Sequence, residues 1–394
     1  MTRFKHLLTA AALFAAAAVP VRGQGLGWTR LNTPAAVADT ARAKGVSAAF
    51  CGLLGGRVVL AGGCNFPARP AADGGVKRFY ADIFVGTPVG DGLTWRQAGR
   101  LPSPAAYGVA LPTDDGLALI GGTTSDGPTA DVCELHLTAA GTHVALHPLP
   151  ALPVAVDNAA GARLGRRLYV VGGNAAGQPS RRVFSLHLDS LGAGWREEAP
   201  LPGEPRTQAV AVALGHGGES CLYVFGGFAA AAGGRPASLS LTSLRYRPSA
   251  RRWEPAATPA TPDGRPLSLG GGAGLALADT AALCLGGVDG DVFLAALRRE
   301  ERLARARAAC NDSLVAALEA AGRRYMTQPE AWYRFNRLVL RYSAARDRWT
   351  VVGEAPQAAR AGAALTGDGT TLYWLGGELK PGVRTPEAWR IDLP

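Results

Sequence analysis

The chain has 394 residues, of which 52 are glycine and 27 are proline, and these numbers exclude a mainly helical protein because both residues break helices. The formal net charge is +10, but the basic residues are scattered apart from a cluster between Arg298 and Arg307. Nucleic acid is not expected as a partner, since no basic stripe is interleaved with stacking aromatic residues. The charge favours anionic small ligands or, alternatively, a merely solvated surface.

Residues 1–23 have the pattern of a secretory signal peptide. Arg3 and Lys5 precede an apolar run at residues 7–19, which is too short to span a membrane, and small residues follow near Gly23. The pattern predicts a chain exported to the periplasm with no membrane span. Cys51, Cys221 and Cys284 lie inside apolar strand patterns, so we expect buried thiols and no disulfide framework.

Residues 24–394 contain a repeat of about 50 residues. Apolar runs end in glycine doublets at 62–63, 121–122, 172–173, 226–227, 286–287 and 376–377. A tryptophan followed closely by proline marks five of the six units, at Trp28, Trp95, Trp195, Trp253 and Trp349. Four short strands per unit at this spacing predict an all-β fold, a six-bladed kelch-type β-propeller.

The two ends and blade five depart from the regular repeat. A strand at 28–31 has no blade before it, while the last unit lacks an outer strand, so we expect the two ends to complete one blade. A helical insertion of about residues 292–336 is predicted between the second and third strands of blade five. A capping-box pattern from Thr327 to Glu330 predicts that the last helix of the insertion begins there.

The loops that follow the glycine doublets and the starts of the inner strands are expected on one face, around the central channel. One carboxylate among several cations suits an acidic substrate, because arginine binds a carboxylate through two parallel hydrogen bonds. The candidate catalytic residues are Glu378, a general base, and Arg384. The candidate substrate-binding residues are Lys77, Arg206, Arg360, Asn65, Asn174, Tyr107 and Lys380.

Each of these residues also has a structural interpretation. Glu378 and Arg384 can pair across their own turn, which Pro381 and Gly382 predict to be type II. The candidate arginines can be solvated rim charges, and Tyr107 can be a core residue. Asparagine after glycine is common simply because it tolerates left-handed backbone geometry.

No metal site or cofactor is expected. The six histidines show no paired metal-ligand spacing. No nucleophile elbow is present, and the glycine doublets are not followed by the helix and lysine of a phosphate-binding loop.

The segment from Gly377 to Thr385, with Glu378, Lys380-Pro381-Gly382 and Arg384, resembles the active-site loop of the bacterial N-acetylneuraminate epimerases. Two further blocks, residues 45–63 and 106–122, resemble that family too. In its better-known members the loop lies mid-chain and is followed by the block that resembles 45–63. Here the loop lies near the C-terminus, so the sequence is similar to the cyclically permuted branch.

The resemblance implies a mutarotase that interconverts the α and β anomers of N-acetylneuraminate, or of a related keto sugar acid, by acid-base ring opening without a cofactor. Glu378 would take the proton of the anomeric hydroxyl, and Arg384 would hold the carboxylate or stabilise the oxyanion. The alternative is a non-catalytic kelch propeller that binds glycans or a protein partner. The sequence leaves open a homodimer.

Overall fold

The computed structural model describes residues 25–34, 37–138 and 140–393. The signal peptide predicted at residues 1–23 lies outside the described residues. The described chain consists mostly of short β-strands, and these form a β-propeller-like fold.

Six four-stranded antiparallel sheets, numbered here in chain order, are present in the described chain. From the innermost strand outward, sheets 1 to 3 are Phe50–Leu54, Arg57–Ala61, Asp82–Val89 and Gly92–Arg100; Val109–Pro112, Leu117–Ile120, Val132–Leu137 and Val144–Pro148; and Ala160–Leu164, Arg167–Val171, Val183–His187 and Arg196–Glu197. Sheets 4 to 6 are Val210–His216, Glu219–Phe225, Ser243–Arg247 and Arg252–Ala256; Gly272–Ala278, Ala281–Gly286, Leu338–Ser343 and Arg348–Glu354; and Ala364–Gly367, Thr371–Leu375, Ala388–Asp392 and Gly27–Leu31.

Sheet 6 combines strands from both ends of the described chain. Gly27–Leu31 pairs antiparallel with Ala388–Asp392, from Gly27 opposite Asp392 to Leu31 opposite Ala388. The rings of Trp28 and Trp389 pack edge to face across this pairing, with centroids 6.4 Å apart. The early strand therefore covers an edge that the last three strands would leave unpaired.

The innermost strands of neighbouring sheets contact one another in a closed cycle. Just before each of them, one residue donates its backbone N–H to the corresponding carbonyl of the preceding sheet, over 2.7 to 2.9 Å, and the bond from Ala48 to Gly362 closes the cycle. We call these six residues the closing ring: Ala48, Tyr107, Asn158, Gln208, Gly271 and Gly362. All six have positive φ, between 48° and 73°, although four are not glycine.

The glycine doublets lie where one sheet meets the next. A Cβ on Gly62 would lie 2.2 Å from the carbonyl oxygen of Ala105, and a Cβ on Gly376 would lie 2.5 Å from that of Val46. Both positions also require left-handed backbone, with φ near 64° and 61°. Only glycine satisfies both conditions, which explains why the doublet repeats.

The repeated tryptophans also join neighbouring sheets. The indole N–H of Trp95 donates to the carbonyl of Asn32, and that of Trp253 donates to the carbonyl of Ala199. Each acceptor lies just after the outer strand of the preceding sheet. Hydrophobic clusters fill the space between sheets, for example Leu283, Trp374 and Ile391 between sheets 5 and 6.

Short elements follow the glycine doublets on one side of the sheets. In five sheets they are two- or three-residue strands: Cys64–Asn65 with Arg78–Phe79, Thr123–Thr124 with Gly127–Pro128, Asn174–Ala175 with Val156–Asp157 and Gln178–Pro179, Phe228–Ala229 with Ser238–Leu239, and Glu378–Lys380 with Val383–Arg384. Short 3-10 helices are Arg42–Lys44, Ala71–Asp73, Leu188–Ala193, Glu330–Tyr333 and Pro356–Ala358.

Two α-helices take this place between the second and third strands of sheet 5. Helix α1, Gly290–Ala308, begins at the N-cap Asp289, and helix α2, Asp312–Met326, begins at the N-cap Asn311. Each cap side chain accepts a hydrogen bond of 3.0 Å from the backbone three residues later. The helices pack on each other through Leu303, Ala306 and Leu318.

The prediction that a further helix begins at Thr327 is wrong. Only a 3-10 turn, Glu330–Tyr333, forms there, because no side chain caps its start at the extended Pro329. Thr327 is instead the C-cap of α2, where its hydroxyl donates to the carbonyls of Arg323 and Arg324. Among the helices of the described residues, none combines the length and the hydropathy needed to cross a bilayer.

Candidate active site

The Glu378 loop is a tight ribbon that pairs its carboxylate with an arginine. Glu378 lies opposite Arg384 in the ribbon, and Gly382 turns the chain at φ 82°. Arg384 Nη1 lies 2.6 Å from Glu378 Oε1, and Gly382 N donates to the same oxygen over 3.2 Å. The ion pair between Glu378 and Arg384, which the sequence suggested as a structural alternative, is therefore present. Both contacts are made by Oε1 of Glu378.

Arg384 is almost completely buried, with its side chain 3% exposed. Its Nε donates to Ser47 Oγ over 3.1 Å, and the guanidinium carbon lies 4.9 Å from the centroid of the Phe66 ring. Its Nη1 contact with Glu378 is close but lacks hydrogen-bond geometry. Arg384 is therefore a fixed positive charge that holds Glu378 in place.

Lys77 and Tyr107 stand beside this pair. Lys77 Nζ donates to the Tyr107 hydroxyl over 3.0 Å and lies 4.7 Å from the centroid of the Tyr107 ring and 6.0 Å from that of Phe66. Phe66 thus contacts both cations. Burial, and then interaction with Cys64 and with the Glu378 carboxylate, raise the pKa of Tyr107 well above its ordinary value of 10. We call Lys77, Tyr107, Glu378 and Arg384 the charged cluster.

Lys380 contacts the helical segment, which consists of α1, α2 and the 3-10 turn Glu330–Tyr333. Its Nζ donates to the carbonyl of Gln328 over 2.7 Å, just beyond α2. A Cβ on Gly382 would lie 2.6 Å from Cβ of Ala71 and 3.5 Å from the Met326 methyl, so the turn lies between the 3-10 helix Ala71–Asp73 and α2. Lys380 therefore anchors the loop, and the geometry gives it a structural role.

Arg206 and Arg360 are buried and bonded within their own sheets. Arg206 donates to the carbonyls of Gly226 and Thr242 and to the Thr242 hydroxyl, while Arg360 donates to the carbonyls of Gly376 and Glu387 and to the Glu387 carboxylate over 2.7 Å. Burial lowers the pKa of each to about 10. Because their terminal guanidinium nitrogens are used in this way, and the Nε of Arg360 is buried without a hydrogen-bond partner, we no longer count Arg206 and Arg360 as substrate contacts.

The two asparagine candidates differ in their surroundings. Asn65 is buried, donates to the carbonyls of Ala41 and Gly45 and accepts from the Tyr80 hydroxyl, each over 2.8 Å, so it braces its loop and we withdraw it as a substrate contact. Asn174 is half-buried and donates to Asp157 Oδ1 over 2.7 Å. It belongs to a polar group that the sequence did not reveal.

That polar group joins sheets 2, 3 and 4. The Asp157 carboxylate accepts from Thr123 Oγ1 over 2.8 Å, from Asn158 Nδ2 over 2.9 Å and from Asn174. Asn158 Oδ1 in turn accepts from Gln208 Nε2 over 2.7 Å. We call these five residues the amide array. Asn158 and Gln208 occupy closing-ring positions, so aligning the six repeats at the residue occupied by Tyr107 would have identified both.

Metal ligands and disulfides are the other chemical groups that a site could use. Within residues 25–34, 37–138 and 140–393, no three or more His, Cys, Asp or Glu side chains are grouped so as to hold a metal ion. All six cysteines, which lie in the described ranges, are unpaired.

Comparison with known proteins shows which family this chain resembles. A family model described as N-acetylneuraminate epimerase matches residues 13–144 and 149–394. The N-acetylneuraminate epimerase of Yersinia enterocolitica serotype O:8 / biotype 1B is 36% identical over 252 residues, which cover 61% of this chain and 56% of that protein. That of Haemophilus influenzae (strain PittEE) is 32% identical over 60% of this chain and 57% of its own length.

The chain thus spans little more than half the length of the curated relatives it matches. A solved structure described as "Structure of YjhT" superimposes with a TM-score of 0.51 at 25% identity, covering 62% of this chain and 65% of that one.

Proposed function

The chain belongs to the N-acetylneuraminate epimerase family, and we propose that it interconverts the α and β anomers of N-acetylneuraminate or a related 2-keto sugar acid. One observation supports the proposal: a carboxylate, a phenol and two cations lie together beside the closing ring, and the carboxylate and one of the cations belong to the loop whose sequence resembles the family's active-site loop. Such a cluster can supply the base and the acid that anomer exchange needs.

We propose that Glu378 is the base. Its Oε1 is held by Arg384 and Gly382, so Oε2 is the oxygen presented to substrate. As Oε2 takes the proton of the anomeric hydroxyl, the anomeric C–O bond to the ring oxygen breaks and the C2 ketone forms. Arg384 is a positioning residue in this scheme, and its charge and that of Lys77 attract the substrate carboxylate.

Ring opening also requires a proton for the departing ring oxygen, and we assign its delivery to Tyr107. The phenol gives up its proton as the bond breaks, and the Lys77 ammonium, 3.0 Å away, stabilises the phenolate. After rotation about the C2–C3 bond, the phenolate takes the proton back as the hydroxyl attacks the other face of the ketone. Glu378 then returns its proton to the new anomeric oxygen, so no proton is gained or lost.

We also propose that the fold is a six-bladed kelch-type propeller with a helical insertion in blade five and that the order of its segments is cyclically permuted within the family. The six sheets and the two helices support this description. A linear alignment of two permuted chains follows only one segment, which agrees with the partial coverage of the relatives. Export to the periplasm is proposed from residues 1–23 alone.

Proton NMR of freshly released α-N-acetylneuraminate tests the activity. Wild-type protein is expected to accelerate formation of the β anomer, and Glu378→Gln is expected to lose about 100-fold or more of that acceleration. Glu354→Gln, an exposed glutamate of an outer strand, is the matched control and should behave as wild type.

If wild-type protein and buffer give the same rate, the epimerase proposal is rejected. Isothermal titration with the same sugar acid then asks whether the protein binds it without reaction, as expected of a glycan-binding propeller.

A further inference from the structure

Across the axis of the closing ring, the amide array lies opposite three members of the charged cluster, while the fourth member, Tyr107, is the ring neighbour of Asn158. In a ring of six, Asn158 lies opposite Gly362 and Gln208 lies opposite Ala48, by the order of the backbone hydrogen bonds. Sheet 6 carries Glu378 and Arg384, and sheet 1 carries Lys77. A ligand at the charged cluster that is long enough to cross this axis would reach Asn158 and Gln208.

The array is built around the buried carboxylate of Asp157, and the three groups that donate hydrogen bonds to it are all neutral. Asp157 is 7% exposed and accepts from a hydroxyl and two side-chain amides. Burying a carboxylate without a cation is costly, and the hydrogen bonds offset that cost by fixing the orientation of both asparagines. The side-chain amides of the array are therefore preorganised in the absence of a ligand.

The array keeps hydrogen-bonding capacity for a ligand. Its internal bonds use one N–H on each of Asn158, Asn174 and Gln208, together with the Asn158 carbonyl. Each amide has a second N–H, and the carbonyls of Asn174 and Gln208 take no part in these bonds. All three side chains are half-buried, so they border open space.

The backbone turn does not demand amides at these positions. Ala48 adopts φ 55° at the position equivalent to Gln208, which has φ 48°, and glycine occupies two other closing-ring positions. Asparagine tolerates left-handed geometry well, but glutamine has no such preference. The amide of Gln208 is therefore better explained by what it contacts than by its backbone.

From this geometry we infer that the amide array is a second subsite, which binds the neutral hydroxyl and N-acyl groups of a sugar acid whose carboxylate end lies at the charged cluster. This inference rests on the proposed function and adds the basis of substrate selectivity. Neutral amides pair with hydroxyl and acyl-amide groups through donors and acceptors together. The carboxylate end is better matched by the cations on the opposite side.

The test compares two substrates in Gln208→Ala protein. One is N-acetylneuraminate, and the other is a six-carbon 2-keto-3-deoxy sugar acid, which closes the same ring but lacks the acyl group and the polyhydroxyl tail. We expect the KM for N-acetylneuraminate to rise about tenfold with kcat little changed, since roughly one hydrogen bond or two is lost. The KM of the short acid, or its competitive inhibition constant, should not change.

Two further variants provide a control and an independent test of the array. Gln97→Ala removes a glutamine amide that donates to Asp82 on an outer strand, and it should leave both substrates unaffected. Asn174→Ala removes an amide of the array outside the closing ring, and it should reproduce the selective effect even if Gln208→Ala does not fold.

The measured rates distinguish a failure of the proposed function from a failure of the second-subsite inference. If wild-type protein accelerates neither substrate, the proposed function fails. If it accelerates N-acetylneuraminate but the array variants change neither constant, or change both substrates equally, the subsite is overturned and the array is a structural brace.

Discussion

The Lys77 ammonium lies 3.0 Å from the hydroxyl oxygen of Tyr107 and 4.7 Å from the centroid of the same ring. One cation thus contacts both the edge and the face of a phenol whose backbone is held at φ 61° in the closing ring. Non-glycine residues in this region are costly and tend to occur at functional sites. The pair is therefore the part of the cluster whose loss should be most informative.

Tyr107→Phe should lower kcat for anomer exchange by about 100-fold, because the ring oxygen loses its proton donor. Tyr373→Phe, a buried tyrosine of sheet 6, is the control and should keep its activity. Anomer exchange followed by NMR measures both. Wild-type rates in the Tyr107 variant would remove the phenol from the mechanism.

The pH profile provides a second check on Tyr107. Because burial and neighbouring negative charge raise its pKa well above 10, the phenol remains protonated at pH values where an ordinary tyrosine begins to ionise. No loss of kcat due to this group is expected up to pH 10. A fall in kcat below pH 10 that is present in wild type and absent from Tyr107→Phe would contradict this expectation.

Arg206→Met should destabilise the protein without affecting substrate binding. The variant leaves the carbonyls of Gly226 and Thr242 without their buried donor, which costs about 1–3 kcal/mol in free energy of unfolding. Denaturant unfolding measures the loss, with Arg181→Met as control, because the hydrogen bond from Arg181 to the carbonyl of Gly203 is exposed to solvent. An unchanged stability together with a raised KM would restore Arg206 as a substrate contact.

Lys380→Met should loosen the helical segment next to the site. The hydrogen bond from Lys380 to Gln328 links the active-site loop to the end of α2, so its loss should speed amide exchange in residues 327–333. Hydrogen–deuterium exchange with mass spectrometry measures this. Lys44→Met removes a comparable bond to Pro67 in another loop and should leave residues 327–333 unchanged; equal exchange in both variants would show that Lys380 does not anchor the segment.

Glu254→Gln should reduce the dependence of stability on acid pH. Hydrogen bonds from Arg245 and Arg252 lower the pKa of Glu254 from 4.5 to about 2. A carboxyl with a lowered folded-state pKa stabilises the protein above pH 4.5, and this contribution disappears as pH falls from 4.5 toward 2. The difference in Tm between wild type and variant should therefore be larger at pH 7 than at pH 2.5.

Glu330→Gln, an exposed carboxyl of the helical segment, is the control for that series. A constant difference in Tm between wild type and Glu254→Gln over the whole pH range would contradict the expectation.

The sequence by itself determined the repeating features of the molecule. A glycine doublet recurs in every unit and a tryptophan in five of the six, because each makes the same kind of contact between neighbouring sheets, as Gly62 and Trp95 show. The turn at Pro381 and Gly382 was also predictable, since it depends on backbone preferences of adjacent residues. Local preferences that repeat can be recognised without knowing which strands are neighbours.

Only the tertiary structure decided what the individual polar residues do. Arg206 and Lys77 look equally suited to an anion in the sequence, yet one is bonded to buried carbonyls and the other lies against Tyr107. Asn158 and Gln208 are 50 residues apart and meet only because neighbouring sheets place their first strands side by side. The role of a side chain depends on partners that are distant in the chain, and folding alone sets those distances.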